Sequence, residues 1–223
     1  MKNTQHMPVY APTDPDESMD AIGQRIQHLA LERPDHIALI DGETQLNWQA
    51  LVRQANRIAN RLRSAGLEQG DAVAGLSENS IHYVALYLGT LVAGGCMVPL
   101  SGMASGDSLA LMLNDCRARF LFVSKKNIEL FEGTADKLDT LGRDQCIGLD
   151  GHSPGMRQDL ASWLGDIDAE ARPATVTLDD PFNVIYSSGT TGTPKGILHD
   201  YRFRQRQMVR MSRFGLDGNA INL

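Results

Sequence analysis

The stretch Phe182-Asn-Val-Ile-Tyr-Ser-Ser-Gly-Thr-Thr-Gly-Thr-Pro-Lys-Gly196 decides how the rest of the chain is read. Its first five residues are largely apolar and rich in β-branched and aromatic side chains, which predicts a strand over Phe182–Tyr186. The remainder, Ser187 to Gly196, holds three glycines, five hydroxyl side chains and one lysine, which predicts a loop. Glycine lets backbone N–H groups turn inward and approach an anion closely. Ser187, Ser188, Thr190, Thr191 and Thr193 supply donors, Gly189 and Gly192 supply freedom, Pro194 stiffens the exit, and Lys195 brings a compact positive charge. A loop of this composition after an apolar strand fits a phosphate cradle, since ligands of open α/β sheets bind beyond the carboxyl ends of the strands. Two familiar phosphate motifs are excluded by spacing. A P-loop needs glycine before its lysine and Ser or Thr after it, whereas Pro194 precedes Lys195 and Gly196 follows. The fingerprint G-x-G-x-x-G is absent here as well. The bland alternative, a hydroxyl-rich surface linker, sits poorly with so long an ordered pattern.

Working outward, helical and extended segments alternate. Ile22, Ile26, Leu29 and Ala30 recur at helical spacing, and Arg33-Pro34 ends that helix. Ile37–Ile40 and Thr44–Trp48 flank Asp41-Gly42-Glu43 as a hairpin. Leu51, Ala55, Ile58 and Leu62 share one helical face closed by Gly66. Ala72–Leu76 reads as a buried strand, and Ser80 as the N-cap of a helix through Tyr83. Further expectations are a strand Cys96–Val98, a helix over Leu109–Leu113, strands Phe120–Val123 and Cys146–Leu149, and a helix Met156–Leu164. Gly165 to Thr177 is an aperiodic connection, Phe182–Tyr186 the last strand, and Tyr201–Phe214 a final helix. Repeated strand–helix units predict an α/β fold, doubly wound, with a parallel or mixed sheet flanked by helices.

Composition bounds the function classes. The chain has 223 residues, 42% hydrophobic and 22% charged, enough to build a core. The formal charge of −6 gives no footprint for nucleic acid. Cys96, Cys116 and Cys146 form neither a CxxC pair nor a disulfide ladder, which favours a reducing, cytoplasmic setting. Residues 1–17 contain Pro8, Pro12 and Pro15 without an apolar core, so a flexible segment is expected there rather than a secretory signal. Tyr83 to Leu100 runs 18 residues without a charge, near the length of a membrane span. Gly94-Gly95 and Pro99 interrupt it, so no transmembrane segment is expected.

The string Tyr186-Ser-Ser-Gly-Thr-Thr-Gly-Thr-Pro-Lys-Gly196 resembles the signature of the AMP-binding, adenylate-forming superfamily of acyl-CoA synthetases, peptide-synthetase adenylation domains and luciferases. Gly70-Asp71 with Val73 and Asn79-Ser80, and Ala93-Gly94-Gly95 through Val98-Pro99-Leu100, resemble two further segments of that family. The similarity runs from about Ile37 to Tyr201.

The resemblance implies a reaction in which a carboxylate attacks the α-phosphorus of Mg-ATP, and a thiol, usually that of CoA, then displaces AMP. It maps the β/γ-phosphate cradle onto Ser187, Ser188, Gly189, Thr190, Thr191, Gly192, Thr193, Pro194 and Lys195, with Lys195 and Thr191 as catalytic groups. ATP, Mg²⁺ and CoA are the implied cofactor and co-substrates, and the metal's protein ligands are unknown. Many members carry a histidine five positions after the loop's last glycine. Here that position is Tyr201, and His199 lies two residues earlier, readable as a site residue or equally as a helix-capping or solvated histidine. Tyr186 reads as a core aromatic. The family's later segments (Tyr-Gly-x-Thr-Glu, a ribose-binding aspartate, a C-terminal catalytic lysine) do not occur. Residues 18–223 are therefore expected to be an incomplete N-terminal adenylation domain, inactive alone. A nucleotide-binding or interaction module without catalysis, and a peptide-synthetase adenylation domain, stay open as alternatives.

Overall fold

A computed structural model of the chain describes residues 22–187 and 193–212, with the side chains of 211 and 212 excepted. The predicted flexible segment 1–17 lies outside the described residues, as do Ser188, Gly189, Thr190, Thr191 and Gly192 of the loop.

Helix α1 (Ile22–Glu32) is followed by the hairpin β1 (Ile37–Asp41) and β2 (Thr44–Asn47). The second strand stops one residue earlier than the sequence predicts, because the Asn47 side chain accepts from Ala50 N at 2.8 Å and caps α2 (Trp48–Ser64), drawing Trp48 into the helix. Strand β3 (Ala72–Leu76) leads through Ser80, whose Oγ accepts from Tyr83 N at 3.1 Å, into α3 (Ile81–Ala93). Gly94 closes α3 in the left-handed region at φ 87°, the conformation that ends the long uncharged run as a helix. After it come β4 (Cys96–Leu100), α4 (Gly106–Cys116), β5 (Phe120–Val123), the short α5 (Ile128–Glu132) and β6 (Cys146–Gly148). The chain continues through α6 (Leu160–Leu164), β7 (Pro181–Ser187), β8 (Lys195–Asp200) and α7 (Tyr201–Ser212).

Several expected boundaries move, each for a local reason. The helix expected over Leu109–Leu113 is longer because Ser105 caps it from Ser108 N and it runs until Arg117 turns left-handed at φ 50°. The helix expected over Met156–Leu164 keeps only its last turn, because the Asp159 side chain caps Ser162 N at 2.8 Å and starts the helix there. The strand at Cys96 runs on through Pro99 to Leu100. β4 registers with β7 at Met97 opposite Asn183, so Pro99, which has no N–H to donate, comes after that pairing.

Six strands form one sheet in the order β6-β5-β3-β4-β7-β8. The pairs β3–β4, β3–β5, β4–β7 and β5–β6 are parallel, and β7–β8 is antiparallel, so the sheet is mixed with an antiparallel edge. Side chains alternate across it. Val73, Met97, Phe120, Phe122 and Ile147 pack against α1, α2, α3 and α6, with Trp163 edge-on to Phe122 at 5.3 Å. Ala72, Ala74, Leu76, Val98, Leu100, Leu121 and Val123 pack on the opposite side against Leu109, Leu113 and Phe131 of α4 and α5. That near-continuous apolar character is what a parallel strand buried on both faces requires. Each fully buried Leu or Phe contributes about 1.5–3 kcal/mol relative to exposure.

The helices over the first face approach closely. A Cβ placed on Gly89 of α3 would lie 2.7 Å from Ile58 Cβ and 2.9 Å from the Ala55 carbonyl oxygen of α2. Glycine is needed at that crossing. The aperiodic connection from Gly165 is not loose: Arg57, Asn60 and Asn56 of α2 donate to the carbonyls of Gly165, Asp168 and Ala169 at 2.6, 3.1 and 3.3 Å. Its backbone acceptors are satisfied by side chains instead of a ladder.

Candidate functional site

Because β3, β4, β5 and β7 are parallel, their carboxyl ends share one edge of the sheet. A serine stands at each of those ends: Ser77 after Leu76, Ser101 after Leu100, Ser124 after Val123, and Ser187 as the last residue of β7. Beneath this edge, the Ser124 hydroxyl donates to Glu78 Oε2 at 3.0 Å, and Asn127 Nδ2 reaches Ser124 Oγ at 2.8 Å and Glu78 Oε1 at 3.3 Å. Lys126 Nζ closes the group at 3.3 Å from Glu78 Oε1. These contacts tie the loops after β3 and β5 together, and Gly102 lets the loop after β4 lie directly against Asn127.

The predicted loop joins the two strands of a β-hairpin. The sequence places a single open loop from Ser187 to Gly196 after a last strand Phe182–Tyr186; instead β7 extends to Ser187, and β8 begins at Lys195. Ser187 pairs with Lys195 and Tyr186 with Gly196. The reason is tertiary, since the stretch after Lys195 has little strand pattern of its own and is held by the ladder with β7. Gly196 leaves room for its neighbours, as a Cβ there would sit 3.1 Å from both Tyr186 Cε1 and Val184 Cγ1. Of the predicted site residues, Ser187, Thr193 and Lys195 are exposed at the mouth of the hairpin, beside Pro194. The turn itself, Ser188 to Gly192 with Thr190 and Thr191, lies outside the described residues.

Two neighbours anchor the hairpin on opposite sides. Tyr186 is packed against the α4 core, as a core aromatic would be, and its hydroxyl reaches Asp115 Oδ2 at 2.6 Å and the Met112 carbonyl at 3.1 Å. Burial, then the hydrogen bond to the Asp115 carboxylate, pushes the phenol well above the ordinary tyrosine range. On the α3 side, Asn183 is 1% exposed. Its Nδ2 donates to the Tyr87 hydroxyl at 2.7 Å, and its Oδ1 lies 3.0 Å from His199 Nδ1. His199 therefore sits on β8 and does not cap α7. That cap is Asp200, whose Oδ1 accepts from Phe203 N at 2.7 Å. Burial, then the Arg204 charge, lowers the His199 pKa below the ordinary histidine value. Tyr201, at the position where many relatives of the motif carry histidine, is 8% exposed and packs edge-on to Phe182 at 5.1 Å.

Asn183, Tyr87 and Asp115 escape the sequence reading. The one available signal was Asn183 itself, an amide in the middle of an otherwise apolar strand, which must find partners once buried. The donors described at the hairpin mouth are hydroxyls and one ammonium, with no carboxylate among Ser187, Thr193 and Lys195, a set whose chemistry suits an anion.

Comparison with known proteins gives the family and the fold. The model of the family described as "AMP-binding enzyme" matches residues 26–219, a wider span than the motifs suggest. The chain is 31% identical over 176 residues to Fatty acid--[acyl-carrier-protein] ligase ScoC of Streptomyces coeruleorubidus, covering 78% of this chain and 32% of that protein. It is 29% identical over 189 residues to the 3-hydroxybenzoate--CoA/4-hydroxybenzoate--CoA ligase of Thauera aromatica, covering 84% of this chain and 36% of that one. Its fold matches the anthranilate CoA ligase AuaEII, solved with anthranoyl-AMP, at a TM-score of 0.76 and 24% identity, over 85% of this chain and 36% of that one. At that identity the likeness concerns the fold alone. The chain spans about a third of the length of these relatives.

Proposed function

We infer that this chain, which belongs to the AMP-binding enzyme family, is the phosphate-holding part of an enzyme that joins a carboxylic acid to ATP as an acyl-adenylate and then hands the acyl group to a thiol. The observation that carries the reading is the β7–β8 hairpin. Its hydroxyl- and glycine-rich turn, with Lys195 at its base, leaves the carboxyl edge of the parallel strands, where ligands of such sheets bind.

The chemistry follows from where charge accumulates. A carboxylate oxygen attacks the α-phosphorus, the bond to the bridging oxygen breaks, and pyrophosphate leaves carrying negative charge. Donors already aimed at the β- and γ-phosphates stabilise that charge without rearranging. Removing one such preorganised donor costs about 10²–10³ in rate in other enzymes. We assign this work to Ser187, Ser188, Thr190, Thr191 and Thr193 as hydroxyl donors and to Gly189 and Gly192 for close backbone approach. Pro194 stiffens the turn, and Lys195 neutralises charge. Mg²⁺ arrives with ATP as part of the substrate. In the second step the thiol sulfur attacks the acyl carbon, the carbon–oxygen bond to AMP breaks, and the thiol proton is lost.

The thiol is taken to be CoA, with a carrier-protein thiol as the second reading, since the similar proteins named above include ligases to each. The acid is a fatty or other acyl acid. The reducing, cytoplasmic placement is supported by three cysteines that are all free, Cys96 and Cys146 buried, and no described helix is long and apolar enough to cross a membrane. The test is ATP–pyrophosphate exchange by the full-length protein with a panel of fatty, aromatic and amino acids. Exchange that depends on an acid is expected. Nucleotide binding without exchange for any acid would contradict the reading and favour a binding module without catalysis.

A further inference from the structure

Tyr186 stands immediately before Ser187, the first residue of the proposed phosphate cradle, and is held by two other elements at once. Across the ladder it pairs with Gly196. A Cβ on Gly196 would lie 3.1 Å from Tyr186 Cε1 and 3.2 Å from its Cζ, so the ring covers the glycine. Gly196 belongs to the edge strand β8, and an aromatic ring over an edge glycine pins the register of the pair. That register is what sets Ser187 opposite Lys195. A slip of one residue would turn every side chain of β8, Lys195 included, to the other face.

The phenol is tied in turn to α4. Its hydroxyl lies 2.6 Å from Asp115 Oδ2 and 3.1 Å from the Met112 carbonyl oxygen. A phenol has one proton to give, and the nearer, charged oxygen is the stronger acceptor, so the proton goes to Asp115. Asp115 is not placed there to favour the helix. It sits in the last turn of α4, one residue before Cys116, where the helix dipole disfavours a negative charge. A residue at odds with its local setting is expected where function asks for it. Asp115 is also exposed, so removing the phenol hydroxyl leaves a hydrated carboxylate and no buried charge. The contact is thus of small weight for stability, and its use lies in where it holds the hairpin.

We propose that Asp115 and Tyr186 are positioning residues for the phosphates of ATP. Anchored on α4, they fix the register and seat of the β7–β8 hairpin, and with them the places of Ser187 and Lys195. Neither touches the nucleotide. Donors stabilise the leaving pyrophosphate best where they already point at it, so a hairpin free to shift loses rate in the first step. The inference rests on the adenylation reading above.

The test compares full-length enzyme carrying Tyr186→Phe, Asp115→Ala, Asp115→Asn, or Tyr186→Phe with Asp115→Ala. Each variant is read by the KM of ATP and of an accepted acid, by single-turnover rates of the two half-reactions, and by its urea midpoint. Tyr186→Phe and Asp115→Ala should each lower kcat/KM for ATP about tenfold, less than the roughly hundredfold that a misplacement of about 1 Å can cost. The KM of the acid, thioester formation from a supplied acyl-adenylate, and the urea midpoint should stay as in the parent. Asp115→Asn keeps an oxygen that accepts the phenol proton and should recover most of the loss. Because each residue acts through the other, the double variant should be no worse than either single one. An unchanged first step in either single variant, no recovery with Asp115→Asn, or losses that multiply in the double variant would overturn the proposal alone. So would equal loss in both half-reactions with a lowered urea midpoint. No exchange by the parent with any acid would remove the adenylation reading, and this inference with it.

Discussion

In the full-length enzyme, Lys195→Ala slows acyl-adenylate formation by one to two orders of magnitude and leaves thioester formation from a supplied acyl-adenylate far less affected. Lys195 opens β8 beside Ser187 at the mouth of the hairpin and is exposed there, with no ion pair to a carboxylate among the described residues. Its proposed task is on the triphosphate, which has gone as pyrophosphate before the thiol attacks. A charge-assisted hydrogen bond is worth about 1.5–3 kcal/mol, which converts to that loss in the first step. Thr191→Ala is expected to follow the same pattern. Lys195→Arg should recover part of the rate only, because a planar fork replaces a compact point charge. Single-turnover kinetics of the two half-reactions, run separately on each variant, read this directly. Equal loss in both steps would mean a collapsed hairpin, and an unaffected first step would take both residues out of the site.

The larger effect is expected from the polypeptide of residues 1–223 alone, which should give no measurable ATP–pyrophosphate exchange with any acid, while the full-length enzyme exchanges readily. The chain spans about a third of its relatives' length, and the later segments that the family resemblance leads one to expect, a ribose-binding aspartate and a catalytic lysine among them, do not occur in residues 1–223. Adenylation needs ribose, α-phosphorus and carboxylate held together. A misplacement of about 1 Å can cost roughly a hundredfold, so removing whole ligands should cost far more. The hairpin should still bind pyrophosphate or nucleotide weakly, which isothermal titration of the polypeptide can detect. Robust exchange by residues 1–223 would show that these residues suffice for the first step.

What was legible in the sequence is what local physics determines. Ala72–Leu76 and Phe120–Val123 are short apolar runs bounded by turns, and both are strands with those ends. Ser80 was readable as a cap because a hydroxyl stands just before an apolar helical run. The glycine pair after Ala93 ended α3 at 13 residues, shorter than a membrane-crossing helix needs. The return strand β8 was not legible: its pattern is short, carries Gly196 as its second residue and is mostly exposed, and the ladder with β7 determines it. Arg117 in the left-handed region ends α4 without any glycine to announce it. In the site, the glycine and hydroxyl string pointed to phosphate chemistry, because composition alone carries that signal. The Tyr87–Asn183–His199 chain was hidden, since its members are 96 and 16 residues apart and meet only when α3 packs on the sheet edge.

The measurement that tests the central claim most directly follows an oxygen atom. The full-length enzyme is given an accepted acid labelled with ¹⁸O in both carboxyl oxygens, ATP and a thiol acceptor, and the products are weighed by mass spectrometry. If the carboxylate attacks the α-phosphorus and the thiol then breaks the carbon–oxygen bond, one ¹⁸O leaves in AMP and the other stays in the thioester. Label in orthophosphate with unlabelled AMP would mean attack at the γ-phosphorus, and would contradict the assignment of this chain to acyl-adenylate chemistry.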